Sequence, residues 1–260
     1  MAGLEYVRCI AVGSAVDAWL VRDGTTHFHV QISRPELARD VMTGDFLERS
    51  YRSVSAPHPE VLSPVDVSRT GEGRYFFRSA PITGWTAADL LRRTRSLNEG
   101  LVLEWSIAVC EALTHLHARG QVHGCLAPRH LHLKGTGDWP AVQLCDTTLL
   151  HFRGERSLET PSVLVEPEYL SPERAGGMRG TASCDVWGVG ALVIELLSGR
   201  PPFRGESPEA SRLLARHARP PKPSAAFARW KRVLEATLAP APMDRIGSAL
   251  ELRQELLALV

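Results

Sequence analysis

The chain has 260 residues, of which 44% are hydrophobic and 23% are charged, and these values are typical of a globular protein. They exclude a disordered or fibrous chain, and the length suits one large domain or one domain divided into two lobes. The 30 basic and 29 acidic residues give a net charge of +1, so no bulk charge attracts nucleic acid or an anionic membrane. Lys134, Lys222 and Lys231 are the only lysines, so the first 133 residues contain none.

The sequence carries no signal for secretion or for membrane insertion. No apolar run approaches the roughly 18 residues that a membrane span needs, and residues 1–10 lack the pattern of a signal peptide. The five cysteines are odd in number and without CxxC spacing, which is typical of reduced thiols rather than of a disulfide framework. We therefore expect a cytoplasmic protein without a membrane span.

Residues 1–80 have the pattern of a small sheet with one helix. Apolar and β-branched residues predict strands over 6–12, 18–21, 26–32, 61–67 and 74–79. The apolar spacing over 35–54 predicts a helix, with a break near Gly44.

From about Thr86 the pattern changes to amphipathic helices. Apolar residues at spacings of three and four predict helices over 101–117, 185–197, 209–218, 227–238 and 247–259. Short strands over 131–134 and 142–145 flank a turn and predict a hairpin. We therefore expect an α+β protein, with a strand-rich lobe over 1–80 and a helical lobe over 81–260 that together form one domain.

Six segments from residue 122 onward stand in a characteristic order. They are VHGCLAPRHL (122–131), LCDTT (144–148), EPEYLSPE (166–173), DVWGVG (185–190), SGRPPF (198–203) and the pair Asp244-Arg245. In this order they resemble a eukaryotic-type serine/threonine protein kinase domain, particularly of the bacterial branch. The resemblance implies a two-lobed protein-kinase-like fold, in which a small antiparallel sheet with one helix precedes a large, mostly helical lobe.

The resemblance assigns architectural roles to His123, Glu173, Asp185 and Arg245. Glu173 and Arg245 match a buried carboxylate–guanidinium pair that ties the activation segment to the last helices. Asp185 matches a carboxylate that accepts hydrogen bonds from the backbone of the catalytic loop. His123 matches the histidine that packs behind this loop.

The positions that perform the chemistry in this family carry other residues here. Phosphoryl transfer needs a carboxylate that orients the hydroxyl nucleophile and accepts its proton, and the matching residue is Cys125. The lysine of the catalytic loop is matched by Ala127. The asparagine that binds the second metal ion is matched by His130, whose imidazole suits zinc or copper better than magnesium.

The positions that bind nucleotide in this family are also altered. The phosphate-binding lysine is matched by Gln31, and the carboxylate that would pair with this lysine is matched by Glu48. The glycine-rich loop keeps Gly13, followed by Ser14, so its backbone no longer has the freedom to approach phosphate oxygens. The predicted remnant of the nucleotide cleft comprises Gly13, Ser14, Gln31, Glu48, Ser79, Ala80 and Asp146.

Asp146 matches the magnesium-binding aspartate of the family and is the reactive-centre residue that remains. The phenylalanine and glycine that follow this aspartate in the family are matched by Thr147 and Thr148. Their loss weakens the apolar contacts between the lobes and reduces backbone freedom. The alternative interpretation of Asp146 is a structural carboxylate that caps local N–H groups.

These substitutions predict a pseudokinase, a catalytically inactive kinase-like domain that serves as a regulatory or scaffolding module for protein interaction. On this hypothesis the chain is not an enzyme, needs no cofactor, binds ATP weakly or not at all, and has doubtful use for magnesium. The expected partner is another protein, such as a kinase or a signalling component, and not a nucleic acid. The predicted docking face carries Arg212, Arg216 and Arg219.

Two other hypotheses stay open at this point. The first is a kinase-fold enzyme with non-standard nucleotide chemistry, either residual phosphotransfer or nucleotidyl transfer, that uses Asp146. The second is a zinc or redox site formed by Cys125, His130 and Asp146, with Cys145 and Cys184 nearby.

Overall fold

The structure, a computed structural model, describes residues 4–12, 16–33, 35, 58–62, 64–79, 85–135, 140–145, 166–217 and 225–260. The helix predicted over 35–54 lies almost wholly outside the described residues. The elements are labelled in chain order, with strands β1 to β7 and helices α1 to α7.

A five-stranded antiparallel sheet forms the first part of the chain. Its strands are β1 (Leu4–Val12), β2 (Val16–Asp23), β3 (Thr26–Ser33), β4 (Pro64–Arg69) and β5 (Tyr75–Ser79). They lie in the order β1-β2-β3-β5-β4. Between β2 and β3, Gly24 has a φ of +59°, the left-handed conformation that a two-residue hairpin loop requires.

Four of the five predicted strands are confirmed with small shifts at their ends, and the fourth in chain order differs more. The sequence predicted this strand over 61–67, whereas β4 begins at Pro64. Val61 instead forms an isolated parallel bridge with Leu144. The apolar pattern joined two short extended segments that pair with different partners, and this explains the difference.

The core of the sheet comes from alternate residues of its strands. Val21, Val30, Ile32 and Phe76 are buried together. The period-two alternation in the sequence placed these side chains on one face, as a half-buried strand requires. Gln31 lies in β3 between Ala18 of β2 and Phe77 of β5.

In its described residues, the second part of the chain is mostly helical and contains a hairpin. Its helices are α1 (Ala87–Thr94), α2 (Glu99–His117), α3 (Pro172–Ala175), α4 (Ala182–Ser198), α5 (Pro208–His217), α6 (Lys231–Thr237) and α7 (Ala249–Leu257). The hairpin pairs β6 (Leu131–Lys134) with β7 (Ala141–Leu144), as predicted. The helix predicted over 227–238 is different, because its first part, Ala225–Trp230, is a 3-10 helix and α6 begins only at Lys231.

Three tryptophans anchor the helical core. Trp105 of α2, Trp187 of α4 and Trp230 are almost completely buried. The indole N–H of Trp105 donates to the carbonyl of Pro140 at 2.7 Å, and that of Trp230 donates to Glu99 at 3.0 Å. The rings of Trp105 and Trp230 therefore fill the core while their polar atoms have partners, whereas the buried Nε1 atom of Trp187 has no hydrogen-bond partner among the described residues.

The segment 58–62, which precedes β4 in the chain, is joined by backbone hydrogen bonds to Leu144 at the end of β7. The N–H of Leu144 donates to the carbonyl of Glu60 at 2.8 Å, and the N–H of Leu62 donates to the carbonyl of Leu144 at 2.9 Å.

The predicted α+β class is confirmed by the sheet and the helices. Among the described residues, no helix combines the length and the apolar character that crossing a membrane requires.

Candidate active site

The loop between α2 and β6 is fixed by one carboxylate. Asp185, in the first turn of α4, accepts hydrogen bonds from the backbone N–H groups of His123 at 2.8 Å and Gly124 at 2.7 Å. His117 Nε2 lies 2.8 Å from the Oδ2 atom of Asp185. Gly124 has a φ of +78°, which favours glycine at this point of the loop. The positive φ of Gly124 and the hydrogen bonds to Asp185, at the start of α4, therefore fix the backbone of the loop.

The environment of Asp185 favours its ionised form. Burial alone raises the pKa of this carboxyl, but the hydrogen bond with His117, the charges of His117 and His123, and the Gly124 N–H outweigh burial. The pKa of Asp185 therefore lies below its usual value. An ionised carboxylate accepts hydrogen bonds from backbone N–H groups more strongly than a neutral one.

The loop also packs two imidazole rings behind its backbone. His123 and His130 are fully buried, and their ring centres are 5.3 Å apart. His123 Nε2 lies 3.4 Å from the carbonyl oxygen of Cys145, at the end of β7. This arrangement places His123 behind the loop, and its architectural role stays a prediction.

Cys125 faces the segment that begins at Glu166. The Cys125 thiol donates to the carbonyl oxygen of Glu166 at 3.8 Å, and its sulfur accepts from the N–H of Glu166 at 3.4 Å. Cys125 is 3% exposed and Ala127 is 1% exposed. These two positions, which the resemblance assigns to catalysis, therefore form part of the packed base of the loop.

Glu166 also contacts the loop through its side chain. The Nε atom of Arg129 lies 3.1 Å from Glu166 Oε1 in an ion pair and donates to His130 Nε2 at 3.2 Å. The side chain of Glu166 is 28% exposed and that of Arg129 is 41% exposed. Cys125, Glu166, Arg129 and His130 thus form one connected cluster, which we call the loop cluster.

A second ion pair lies beneath the loop. Arg245 donates to both carboxylate oxygens of Glu173, and Cys184 Sγ donates to Glu173 Oε1 at 3.2 Å. Burial raises the pKa of Glu173, but its hydrogen bonds, chiefly from Arg245, outweigh burial and keep the pKa below its usual value. The side chain of Arg245 is fully buried.

The predicted nucleotide-cleft residues are only partly described. Gln31 is 6% exposed in β3, and Ser79 ends β5, where its hydroxyl lies 3.4 Å from His29 Nδ1. The structure brings these two residues to neighbouring strands of the sheet. The other predicted site residues, Gly13, Ser14, Glu48, Ala80, Asp146, Thr147 and Thr148, lie outside the described residues.

The described residues do not support the zinc hypothesis. Within the described ranges, no group of three or more histidine, cysteine, aspartate or glutamate residues could hold a metal ion. Cys145 Sγ contacts the carbonyl oxygen of Arg129 at 3.8 Å, and Cys184 contacts Glu173. The cysteines near the loop therefore bond to protein groups in different places and do not converge on one point.

The structure describes two residues of the predicted docking face, Arg212 and Arg216, and of these two Arg216 is exposed. Arg212 is half-buried and its Nε atom donates to the carbonyl of Ala175 at 2.8 Å, so this side chain fixes α5 against α3. Arg216 is exposed, and Arg219 lies outside the described residues. Leu213 on the same helix is also exposed, at 61%.

Sequence reasoning missed three residues of the site. His117 contacts Asp185, while Glu166 and Arg129 link the loop to the following segment. Glu166 opens one of the matched segments, and Arg129 lies within another, but neither position indicated a contact between them. A pairing between residues 37 positions apart follows from tertiary structure and not from local spacing.

A family model described as the protein kinase domain matches residues 39–257. A probable serine/threonine-protein kinase of Streptomyces coelicolor is 32% identical over 70% of this chain and 28% of its own length. The serine/threonine-protein kinase PknB of Mycobacterium tuberculosis is 27% identical over 97% of this chain and 42% of its own length. This chain therefore spans less than half the length of these curated relatives.

A likeness to a solved structure confirms the two-lobed kinase fold. The crystal structure of the Mycobacterium tuberculosis PknI kinase domain superposes with a TM-score of 0.75. The match covers 100% of this chain and 96% of that domain, at 24% sequence identity. At this identity the likeness concerns the fold.

These findings correct three predictions made from the sequence. The relatives are named serine/threonine-protein kinases, a class of enzymes that uses ATP with Mg²⁺. The predictions of an inactive scaffold, of a chain that is not an enzyme and of a domain without cofactor are contradicted by these names. The prediction of inactivity treated the replacement of residues that are catalytic in the family as loss of the activity itself. The chain belongs to the protein kinase domain family.

Proposed function

We propose that this domain transfers the γ-phosphoryl group of ATP to serine or threonine hydroxyl groups of a protein substrate. The family match and the names of the relatives support this proposal. The structural observation that carries it is the pair of hydrogen bonds from the His123 and Gly124 N–H groups to Asp185. They hold the loop that the resemblance identifies as the catalytic loop.

The rigidity of this loop matters because phosphoryl transfer depends mainly on positioning and on electrostatic stabilisation. Asp185 is completely buried, and Arg245 donates two hydrogen bonds to Glu173. The loop is therefore anchored to α4, and α3, which contains Glu173, is anchored to the segment before α7.

Uncharged residues at the positions of the family's two lysines predict a slow enzyme. Gln31 and Ala127 cannot supply the positive charge of the lysines that they match. Removing one electrostatic contact to the transition state commonly lowers a rate roughly 100- to 1,000-fold. We therefore expect turnover well below the about 1–100 per second of typical protein kinases.

The described residues do not themselves fit a magnesium ion. Magnesium prefers hard oxygen ligands, whereas the described residues at the matched positions offer the thiol of Cys125 and the imidazole of His130. We therefore propose that ATP brings the magnesium ion with it, as its magnesium complex. The assignment of Asp146 to the metal and of Gln31, Glu48 and Ser79 to the nucleotide cleft stays a proposal.

The substrate protein is proposed to approach near α5. Exposed Arg216 and Leu213 give this helix a basic and apolar surface. This surface suits a protein partner that combines acidic and apolar residues.

The cytoplasmic location stays a prediction.

Labelled nucleotide tests the proposed function directly. The protein is incubated with magnesium, a mixed protein substrate and ATP labelled at the γ-phosphate, in parallel with ATP labelled at the α-phosphate. We expect γ-label on serine or threonine, accumulating linearly above a heat-denatured blank, and no α-label. Transfer of α-label alone would show nucleotidyl transfer, and absence of both labels would contradict catalysis by this domain.

A further inference from the structure

Glu166 brings a carboxylate to the place where the family's proton acceptor is missing. Its backbone lies against Cys125, with 3.4 Å between Glu166 N and Cys125 Sγ. Its side chain turns over the same loop, where Glu166 Oε1 lies 3.1 Å from Arg129 Nε. The carboxylate therefore lies beside the loop that the resemblance identifies as catalytic.

Exposure distinguishes Glu166 from the other carboxylate that contacts this loop. Asp185 is 0% exposed in its side chain, and both of its oxygens accept hydrogen bonds from the loop backbone. The side chain of Glu166 is 28% exposed, although its Oε2 atom is buried, so a substrate can approach this carboxylate from the side of Oε1. Asp185 is therefore suited to hold the loop, and Glu166 is suited to meet a substrate.

Arg129 fixes the orientation of the Glu166 carboxylate. The Nε atom of Arg129 forms an ion pair with Glu166 Oε1 and donates to His130 Nε2 at 3.2 Å, and His130 is fully buried. The guanidinium is thus anchored to the base of the loop, and it holds one oxygen of the carboxylate. A general base needs this fixed position within hydrogen-bond reach of the proton that it removes.

We propose that Glu166 is the proton acceptor of the phosphotransfer reaction, in place of the aspartate that Cys125 replaces. This inference rests on the proposed function. The substrate hydroxyl oxygen forms a bond to the γ-phosphorus of ATP while the bond from this phosphorus to the bridging oxygen breaks. ADP leaves with that electron pair, the hydroxyl proton passes to a Glu166 carboxylate oxygen, and the protonated carboxyl then releases the proton to water.

The test compares Glu166→Gln with Glu168→Gln in the full chain. Both residues lie at the same short 3-10 segment, and Glu166 is the one that forms the ion pair with Arg129 of the loop. A general base contributes roughly 100- to 10,000-fold to a rate. We expect E166Q to lower kcat by at least about 100-fold with unchanged KM for ATP and an unchanged melting temperature. E168Q should keep the wild-type kcat.

A rescue variant separates proton acceptance from simple positioning. Cys125→Asp, combined with E166Q, restores a carboxylate at the position that the family uses, and the N–H of residue 166 remains available to it. We expect this double variant to recover at least about a tenth of the wild-type kcat, because the acceptor is returned.

The outcomes are distinct. A wild-type protein without phosphotransfer overturns the proposed function and this inference with it. An active wild type whose E166Q variant keeps full kcat overturns the inference alone. Loss of activity in E166Q with native melting but without rescue by C125D also overturns it, since Glu166 would then act in positioning and not as the proton acceptor.

Discussion

Arg245 binds both oxygens of Glu173, with 2.6 Å from Nη1 to Oε1 and 2.8 Å from Nη2 to Oε2. The guanidinium also donates to the carbonyl oxygens of Ala239, Pro240 and Ser183, so its remaining N–H groups have partners. Its face lies over the ring of Trp187, 4.9 Å from the ring centre. This one side chain therefore connects the segment before α7 to α3 and α4.

Replacing Glu173 by glutamine should strongly destabilise the protein. The change leaves the fully buried Arg245 without its counter-charge, and breaking a buried ion pair costs about 3–5 kcal/mol. We expect E173Q to lower the free energy of unfolding by about 3 kcal/mol in urea denaturation. The control is Glu255→Gln, which removes the exposed pair with Arg232 and should cost less than about 1 kcal/mol. Equal effects of the two variants would contradict the account.

The contribution of Glu173 should disappear in acid. Burial raises the pKa of Glu173, but the hydrogen bonds from Arg245 dominate, so its folded pKa is lower than the usual 4.5. A depressed pKa gives stability that is present above about pH 4.5 and is lost as the pH falls through the folded pKa. The difference in unfolding free energy between wild type and E173Q should therefore shrink from pH 7 towards pH 3. A difference that stays constant over this range would contradict the pKa direction.

Replacing Asp185 by asparagine should loosen the loop. An amide has one acceptor oxygen, so the N–H of His123 or of Gly124 loses its partner, and an unsatisfied buried group costs about 1–3 kcal/mol. We expect amide hydrogen exchange at His123 and Gly124 to accelerate at least about 10-fold. The exposed Asp244→Asn variant is the control and should leave this exchange unchanged. Unchanged protection in D185N would show that the loop is held by other contacts.

Two glycines with similar backbone conformations should respond differently to alanine. Gly199 ends α4 with a φ of +73°, and Gly120 follows α2 with a φ of +69°. A Cβ at Gly199 would overlap the carbonyl oxygen of Arg95, whereas a Cβ at Gly120 would meet nothing within 4 Å. We expect Gly120→Ala to cost about 1 kcal/mol and Gly199→Ala about 2 kcal/mol more, measured by thermal unfolding. Equal costs would contradict the close approach of α1 and α4.

Much of the fold could be predicted from the sequence because burial imposes a period on each element. The alternation along β3 and the apolar spacing of α2 gave their positions within one or two residues. The helix predicted over 227–238 was wrong in its first turns, because the same apolar spacing suits a 3-10 helix followed by an α-helix. Local periodicity does not distinguish the two.

The site could be predicted only where a motif fixes an interaction. The resemblance to the kinase family led to Glu173, Asp185 and Arg245. In the structure Arg245 donates to Glu173, and the N–H of Gly124 donates to Asp185. Glu166 and Arg129 were missed because their contact joins two segments through the fold. The prediction of inactivity, which assigned each chemical role to one position, is contradicted by the relatives, which are named serine/threonine-protein kinases.

The most direct test of phosphotransfer compares wild type with D185N under identical conditions. Both proteins are purified in the same way and supplied with γ-labelled ATP, magnesium and a mixed protein substrate. The account predicts phosphoserine or phosphothreonine that accumulates with wild-type protein and at least about 10 times more slowly with D185N, since the loop that positions the reactants is loosened. Equal labelling by both proteins, or no labelling by wild type, would contradict catalysis at this loop.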